Sequence, residues 1–202
     1  MLLDQVDPNS PPEKLGVPNL SLRGFEVIDA AKARIEKECG SDVVSCADVV
    51  AFAGRDATVL LISGKKKFSF LDFLWGGWKS DFDMPAGRYD GNVSLAGETL
   101  PHLPPPFANL TTLTQMFATK GLSQTDMVAL SGAHSIGRSQ CSSFRHRHQP
   151  PANDNSTTSM DATYAGKLTQ DCPAGNDPTV PQDYKTPDVL DSQYYRDVMD
   201  RK

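Results

Sequence analysis

The sequence predicts an all-α protein, on three observations. Apolar residues recur every three or four positions in segments that start near Ser21, Ser45, Asn109 and Leu122. Two of these segments contain a serine followed three residues later by an aspartate, which is the capping-box signature of a helix start. No segment of the sequence favours a sheet, and there are no internal repeats.

Two helices are predicted in the N-terminal half. Residues 1–20 are rich in Pro, Asn and Asp and are expected to form a loop. A second helix is expected to begin at Ser45, where Asp48 completes the capping box. The first helix is predicted over Ser21–Gly40 because its apolar residues share one helix face: Phe25, Ile28, Ala31, Ile35 and Cys39.

Further helices are predicted beyond residue 100. The prolines of Leu103–Pro106 form a rigid lead-in to a helix over Asn109–Lys120, which stops at Gly121. Residues 145–185 are polar and contain five prolines, so they are expected to be loop with short turns. Asp191 is expected to cap a last helix that carries Tyr194, Tyr195 and Val198.

The segment Leu122–Cys141, LSQTDMVALSGAHSIGRSQC, holds the clearest candidate for chemistry. Its helix is expected to start with the capping box at Ser123 and to end at Gly137. His134 lies one turn beyond Leu130, so on a helix both side chains project from the same face. This spacing alone favours a histidine that is satisfied inside the core over a metal ligand.

Composition and charge exclude some classes of protein. A chain of 202 residues, 39% of them hydrophobic, is long enough for one domain with a core or for two small ones. The net charge of −5 argues against nucleic acid or an anionic membrane as the main partner. No run of 18 apolar residues is present, so no transmembrane helix is expected. The start, Met1–Asp4, does not have the pattern of a signal peptide.

Four cysteines permit three pairings, and none has the CxxC spacing of a zinc ribbon. A zinc site at Cys141, His146 and His148 is disfavoured because the stretch is basic and polar. Asn-x-Ser/Thr sequons would suit a secreted glycoprotein, although such triplets also occur by chance; they begin at Asn19, Asn92, Asn109 and Asn155.

Three stretches resemble the class III secretory plant haem peroxidases, in the order which that family uses. They are SLRGFEVIDAAK, VVSCADVVAFAGRDA and DMVALSGAHSIG, at residues 21–32, 43–57 and 126–137. The resemblance covers almost all of residues 1–202, but only the middle of a family member. It implies a haem-peroxidase-like helical fold that is incomplete, present as a single partial peroxidase domain over residues 1–202.

One segment departs from that resemblance. The GRxDG loop, here Gly87–Gly91, follows the second matching stretch after more residues in this chain than in the family. The additional residues are assigned to positions 62–79. Phe68–Trp78 contains seven large apolar residues in eleven, after three consecutive lysines. A membrane-surface or partner-binding segment is one interpretation. A non-native insertion, such as translated intron sequence, is favoured because a long apolar loop would expose hydrophobic surface to solvent.

The resemblance implies two cofactors, haem b and calcium. His134 corresponds to the axial ligand of the haem iron, and the family's aspartate that fixes this imidazole does not occur within the 202 residues. The DxxTPxxxD pattern resembles the family's proximal calcium loop, although composition alone would equally suit a solvated turn. The implied calcium ligands are Ser135, Asp183, Thr186, the carbonyl of Val189 and Asp191.

The resemblance also implies a disulfide between Cys141 and Cys172, and it leaves Cys39 and Cys46 without their usual partners. By the chain-entropy model, that disulfide would contribute about 3–4 kcal/mol of stability.

The residues that cleave peroxide in this family stand in a motif like RxxFHDC, which does not occur in this sequence. Its histidine moves the peroxide proton and its arginine steadies the developing charge. Asn19 resembles the residue that hydrogen-bonds the distal histidine, although an ordinary loop asparagine is the simpler interpretation. Pro104 corresponds to the proline whose carbonyl accepts a hydrogen bond from an aromatic donor, although a plain helix-entry proline fits equally well.

The sequence is therefore interpreted as a peroxidase that oxidises small phenolic donors with hydrogen peroxide. Without the distal Arg/His pair, the 202-residue chain is expected to be poorly active or inactive. The alternative is a non-catalytic product of truncation or mis-splicing that binds haem or calcium weakly. By resemblance, the expected location is extracellular (cell wall or vacuole) and the expected state is a monomer, without nucleic-acid or membrane partners.

Overall fold

The computed structural model describes residues 8–62, 82–149 and 160–202. The chain divides into two compact units, residues 1–104 and 105–202. The described residues are mostly helical, which confirms the predicted helical fold class. The predicted insertion at residues 62–79 lies outside the described residues, apart from the backbone of Ile62 at a helix end, and the sequon at Asn155 lies outside them too.

The first unit is built on the two predicted helices. They are confirmed as α1, Phe25–Cys39, and α2, Cys46–Ile62, and they contact each other. A short helix, α3, follows at Thr99–His102. The N-terminal segment predicted to be loop contains two 3₁₀ turns, and a third precedes α3; the three turns are Glu13–Leu15, Val17–Ser21 and Ala96–Glu98.

The loop at residues 86–90 is fixed to the first turn of α2 by two carboxylates. Asp48 accepts hydrogen bonds from the amides of Gly87 (2.7 Å) and Arg88 (3.2 Å) and from the Arg88 guanidinium (3.0 Å). The Gly87 amide and the Arg88 contacts hold the pKa of Asp48 below its usual value. Asp90 accepts from the first two amides of α2, Cys46 and Ala47. Only half of the expected capping box therefore forms: Ser45 accepts from the Asp48 amide, while the Asp48 carboxylate binds the loop.

The second unit holds both expected and unexpected helices. The expected ones are α4, Leu110–Thr119, and α5, Gln124–Ser131, which begin with side-chain caps at Asn109 and Ser123. The remaining α-helices of the described part of this unit are α6, Cys141–His148; α7, Ala162–Asp171; and α8, Gln193–Met199. The helices α6 and α7 interrupt the stretch at residues 145–185 that was predicted to be loop, so that prediction is wrong.

A two-stranded antiparallel sheet, which the sequence did not predict, joins the start of α6 to the segment after α7. Strand β1, Arg138–Gln140, pairs with β2, Thr179–Pro181, with Ser139 opposite Val180. Gly137 precedes β1 at φ +104°, a conformation that favours glycine. The sheet positions Cys141, the residue after β1, next to the chain that follows α7.

The described residues of this unit include one buried apolar cluster. It consists of Cys141, Leu168, Cys172 and Val180, with Phe144, Met160 and Tyr164 packed against it. Cys141 and Cys172 form a disulfide with a Cα–Cα distance of 5.6 Å. This is the pairing that the family resemblance implies, and it lies at the centre of the cluster.

A buried histidine at the end of α6 was not expected from its basic sequence. His148 is 8% exposed, and its ring packs against Phe144 with the centroids 5.4 Å apart. Within the described part of the chain, neither ring nitrogen has a hydrogen-bond partner. Burial lowers the pKa of His148, and the nearby charges of Arg145 and His146 add to this effect.

We expect the His148→Leu variant to be more stable than the wild type, most of all at low pH. The folded-state pKa of His148 lies below the unfolded value of about 6.5, so the unfolded chain binds more protons as pH falls through that value. The free energy of unfolding of the wild type should therefore fall between about pH 7 and 5. Denaturant unfolding at several pH values measures both profiles.

The matched control is His146→Leu, which changes the exposed histidine of the same helix and should keep the wild-type pH slope. Parallel pH profiles for His148→Leu and the wild type would contradict the assignment of this slope to His148.

Candidate functional site

His134 lies on a 3₁₀ turn rather than on the helix that the sequence predicted. The α-helix α5 ends at Ser131, and Gly132–Ser135 forms the 3₁₀ turn that follows it. The expectation that the helix continues to Gly137 is therefore wrong, and the shared face with Leu130 that was argued from α-helical spacing does not apply. The turn places the imidazole just beyond the C-terminal end of α5.

The ring of His134 is exposed and is touched from one side. Its ring neighbour is Tyr194, with centroids 5.8 Å apart and planes at 66°, an edge-to-face arrangement. Among the described residues of the second unit, neither imidazole nitrogen has a hydrogen-bond partner. Val128 and Leu130 on α5 also expose about half of their surface. An accessible imidazole whose nitrogens have no hydrogen-bond partner among these described residues fits an axial ligand of a haem.

Tyr195 binds the end of α5, just before the turn that carries His134. Its hydroxyl donates to the carbonyls of Val128 (2.8 Å) and Ala129 (3.2 Å), which belong to the last turn of α5. The ring also lies against Gly132, where an added Cβ would come within 2.4 Å of the Tyr195 hydroxyl. Glycine at this position therefore permits the close approach of Tyr195.

Ser135, the residue after His134, is fully buried and hydrogen-bonded to a distant loop. Its hydroxyl lies 3.0 Å from the carbonyl of Asp191 and 3.3 Å from that of Val189. It also accepts from the Asp191 amide at 3.0 Å. The loop before α8 is thereby attached to the residue next to the imidazole.

The other two implied calcium ligands lie at the start of that loop. Asp183 is fully buried and accepts from the amides of Lys185 and Thr186 and from the Thr186 hydroxyl (3.1 Å). The Val189 amide donates to the Thr186 carbonyl (3.0 Å). The structure therefore brings the five residues together through a continuous series of hydrogen bonds.

The five residues supply carboxylate, hydroxyl and carbonyl oxygens, which is the ligand type that calcium prefers. No lysine, arginine or histidine lies within 4 Å of the Asp183 carboxylate in the described residues, because Lys185 instead faces Asp197 at 3.5 Å. A buried carboxylate without a countercharge, next to hydroxyl and carbonyl oxygens, suits a hard cation. Separately, no group of three or more His, Cys, Asp or Glu side chains that could hold a metal occurs in the part of the chain that the structure describes.

Asp197 on α8 completes the polar surroundings of the loop. It is 4% exposed, one oxygen accepts from Gln193 (2.7 Å), and the other has no hydrogen-bond partner among the described residues. The carboxyl of Asp191 accepts from the Gln193 amide (2.7 Å), but the N-cap residue of the last helix is Ser192, so the prediction that Asp191 occupies the cap position is wrong by one residue. The loop that carries Asp191 is thus directly connected to α8.

The cysteines divide as the resemblance implies. Cys141 and Cys172 are both fully buried in their disulfide, so Cys141 is not available to a zinc ion with His146 and His148. Cys39 and Cys46 are free and exposed, and they do not pair with each other.

Asn19 and Pro104 belong to the first unit. The Asn19 side-chain amide donates to the carbonyl of Glu13 (2.8 Å), which fixes its orientation within the N-terminal 3₁₀ turns. Pro104 is exposed in the segment after α3.

Among the helices of the described residues, none has the length and hydropathy that crossing a membrane requires.

Comparison with known proteins finds one family. Residues 1–202 match the family model described as Peroxidase. The chain is 45% identical over 206 residues to peroxidase 5 of Vitis vinifera, covering 98% of this chain and 56% of the relative. It is 45% identical over 204 residues to peroxidase 2 of Zea mays, covering 98% and 55%, and 40% identical over 195 residues to peroxidase 47 of Arabidopsis thaliana, covering 96% and 52%. The chain spans about half the length of the curated relatives it matches.

We expect Gly132→Ala to lower the free energy of unfolding by about 1–3 kcal/mol, because its methyl group would overlap the Tyr195 hydroxyl. In a Tyr195→Phe background the same change should cost less, since the overlapping oxygen is gone. Denaturant unfolding of the four proteins in this cycle measures the coupling.

Gly166→Ala is the matched control, because nothing lies within 4 Å of its added Cβ and the helix α7 favours alanine. Equal costs for Gly132→Ala in both backgrounds would show that Tyr195 does not press against this turn.

Proposed function

We propose that this chain, which belongs to the peroxidase family, provides the proximal side of a haem b site with His134 as the axial ligand. The observation that carries the proposal is the accessible imidazole, whose two nitrogens have no hydrogen-bond partner among the described residues of the second unit, next to backbone that Ser135 and Tyr195 hold in place. A neutral imidazole nitrogen is a ligand that haem iron accepts. Bound haem would supply the redox chemistry that reduces hydrogen peroxide while small phenolic donors are oxidised.

The residues around His134 limit how the ligand can move. The hydroxyl of Ser135 fixes the backbone on one side of the imidazole, and Tyr195 fixes the backbone before it. Neither contact uses an imidazole nitrogen, so both nitrogens remain available, one for iron and the other for an acceptor that would make the ligand more basic.

We further propose that Ser135, Asp183, Thr186, Val189 and Asp191 bind calcium. The support is the buried Asp183 carboxylate, which has no countercharge among the described residues, together with the hydrogen bonds that collect the hydroxyl and carbonyl oxygens of the same loop. Because Ser135 adjoins His134, bound calcium would stiffen the turn that carries the haem ligand.

Peroxide turnover by residues 1–202 should be slow. The sequence contains no RxxFHDC-type motif, so no distal arginine and histidine act on peroxide within these residues. Asn19, which would support such a histidine, has its side-chain amide on the Glu13 carbonyl. The carbonyl of Pro104 is proposed to accept a hydrogen bond from a phenolic donor.

The expected setting is extracellular. The chain would act as a secreted monomer with a disulfide of the kind that oxidising compartments permit. Two of the sequon asparagines, Asn92 and Asn109, are exposed and could carry a glycan, whereas the amide of Asn19 is occupied by its contact with Glu13.

We expect purified wild-type chain to bind added haem and to give the absorption spectrum of a histidine-ligated iron. His134→Ala should lose that spectrum because the axial nitrogen is removed. His146→Ala, which changes an exposed histidine on α6, should keep it. A histidine-ligated spectrum that persists in His134→Ala would refute the ligand assignment, and rapid guaiacol oxidation by the wild type would refute the proposal of slow turnover.

Asp183→Asn should weaken calcium binding at least tenfold, since it removes the buried charge from the proposed site. Asp188→Asn is the matched control, because it neutralises an exposed carboxylate of the same loop that is not among the proposed ligands. Calorimetric titration with calcium measures both affinities. Equal affinities for the two variants would contradict the proposed ligand set.

A further inference from the structure

The described residues of the second unit provide no acceptor that would fix the rotation of the His134 imidazole, but they do provide an aromatic contact. Among the described residues of that unit, no side chain hydrogen-bonds either ring nitrogen. A histidine ring attached through a broad sp³–sp² torsion can turn about that bond unless a neighbour restricts it. Tyr194 is the ring in contact with it.

Tyr194 is itself held in place. Its ring packs against Tyr195 with centroids 5.4 Å apart and planes at 66°. Tyr195 in turn donates to the carbonyls at the end of α5 and lies against Gly132. A continuous contact path therefore runs from the backbone of the 3₁₀ turn through both tyrosines and back to the imidazole of the same turn.

The arrangement is also joined to the loop that precedes α8. Asp191 accepts from the Gln193 amide, and Gln193 is the residue before Tyr194. Asp191 is bonded to Ser135 through its backbone. The backbone just before Tyr194 is thus attached, through Asp191, to the residue that follows His134.

We propose that Tyr194 is a positioning residue that sets the orientation of the His134 imidazole by an edge-to-face contact, with Tyr195 as its anchor. The inference rests on the proposed role of His134 as a haem ligand, but the contact itself exists without haem. An aromatic ring can supply this constraint without its hydroxyl, so Tyr194→Phe preserves the function and Tyr194→Leu removes it.

The first test uses the haem-free 202-residue chain with isotope-labelled histidine and tyrosine. We expect nuclear Overhauser contacts between the rings of Tyr194 and His134 in the wild type. In Tyr194→Leu the ring signals of His134 should shift and broaden, whereas in Tyr194→Phe they should stay close to those of the wild type. Tyr89→Leu removes an exposed tyrosine of the other unit and is the matched control.

The second test adds haem and measures its affinity and the iron–histidine stretching band in the reduced protein. Tyr194→Leu should raise the haem dissociation constant about two- to tenfold, the range that an aromatic pair supplies. Its stretching band should broaden or shift, and Tyr194→Phe should restore the wild-type band. Circular dichroism establishes that each variant is folded.

The outcomes separate the two proposals. Ring-to-ring contacts together with the response of Tyr194→Leu support the positioning role, whether or not haem binds. Absence of those contacts in the wild type, or a Tyr194→Leu variant whose His134 signals match the wild type, overturns it. A wild-type chain that gives no histidine-ligated haem spectrum overturns the proposed function, while the haem-free measurements still decide the contact.

Discussion

The buried hydroxyl of Ser135 is the interaction on which the candidate site depends. It is fully buried and exchanges hydrogen bonds with the backbone of Asp191 while it lies close to the carbonyl of Val189. Leaving such a buried group unpaired would cost about 1–3 kcal/mol. The turn that carries His134 therefore cannot move away from the loop before α8 without breaking these bonds, and the candidate haem ligand and the candidate calcium ligands form one structural element.

Polar contacts hold much of the candidate site together. Among the described residues, the buried cluster contains the Cys141–Cys172 disulfide and a few apolar side chains. The candidate site instead relies on the buried Asp183, the Ser135 contacts and the Tyr195 hydroxyl on the carbonyls of α5. Such a network tolerates exposed apolar residues on α5 while it keeps the backbone beside His134 in place.

The helices whose signals are local could be predicted from the sequence. The capping box of Ser123 and Asp126 forms in full, because both partners lie within one turn of the chain. The helix α6, CSSFRHRH, was missed because polar residues give it no apolar period. The start of α7 could have been recognised, because Asp161 is a typical N-cap residue and its side chain accepts from the amide of Tyr164. The prolines on both sides of this segment led instead to the prediction of a loop.

The remaining features depend on contacts between segments that are distant in sequence. The strands β1 and β2 have three residues each and no apolar alternation, so only their pairing defines them. The sequence predicted His134 on an α-helix, but the chain forms a 3₁₀ turn there. This turn contacts α8, which lies far away in sequence, so the local motif does not reveal it. The same limit applies to the burial of His148 and to the contact of Tyr194. The proposed calcium ligands were taken from the family resemblance, because composition alone would equally suit a solvated turn. The comparisons confirm the family, and the ligand set stays a proposal.

The most direct test of the account is the nuclear magnetic resonance spectrum of histidine-labelled chain with ferric haem bound. The sequence contains four histidines, so each ring can be assigned by single substitution. The account predicts that the ring signals of His134 alone move to strongly paramagnetically shifted positions. Such shifts at another histidine, or at none of the four, would contradict it.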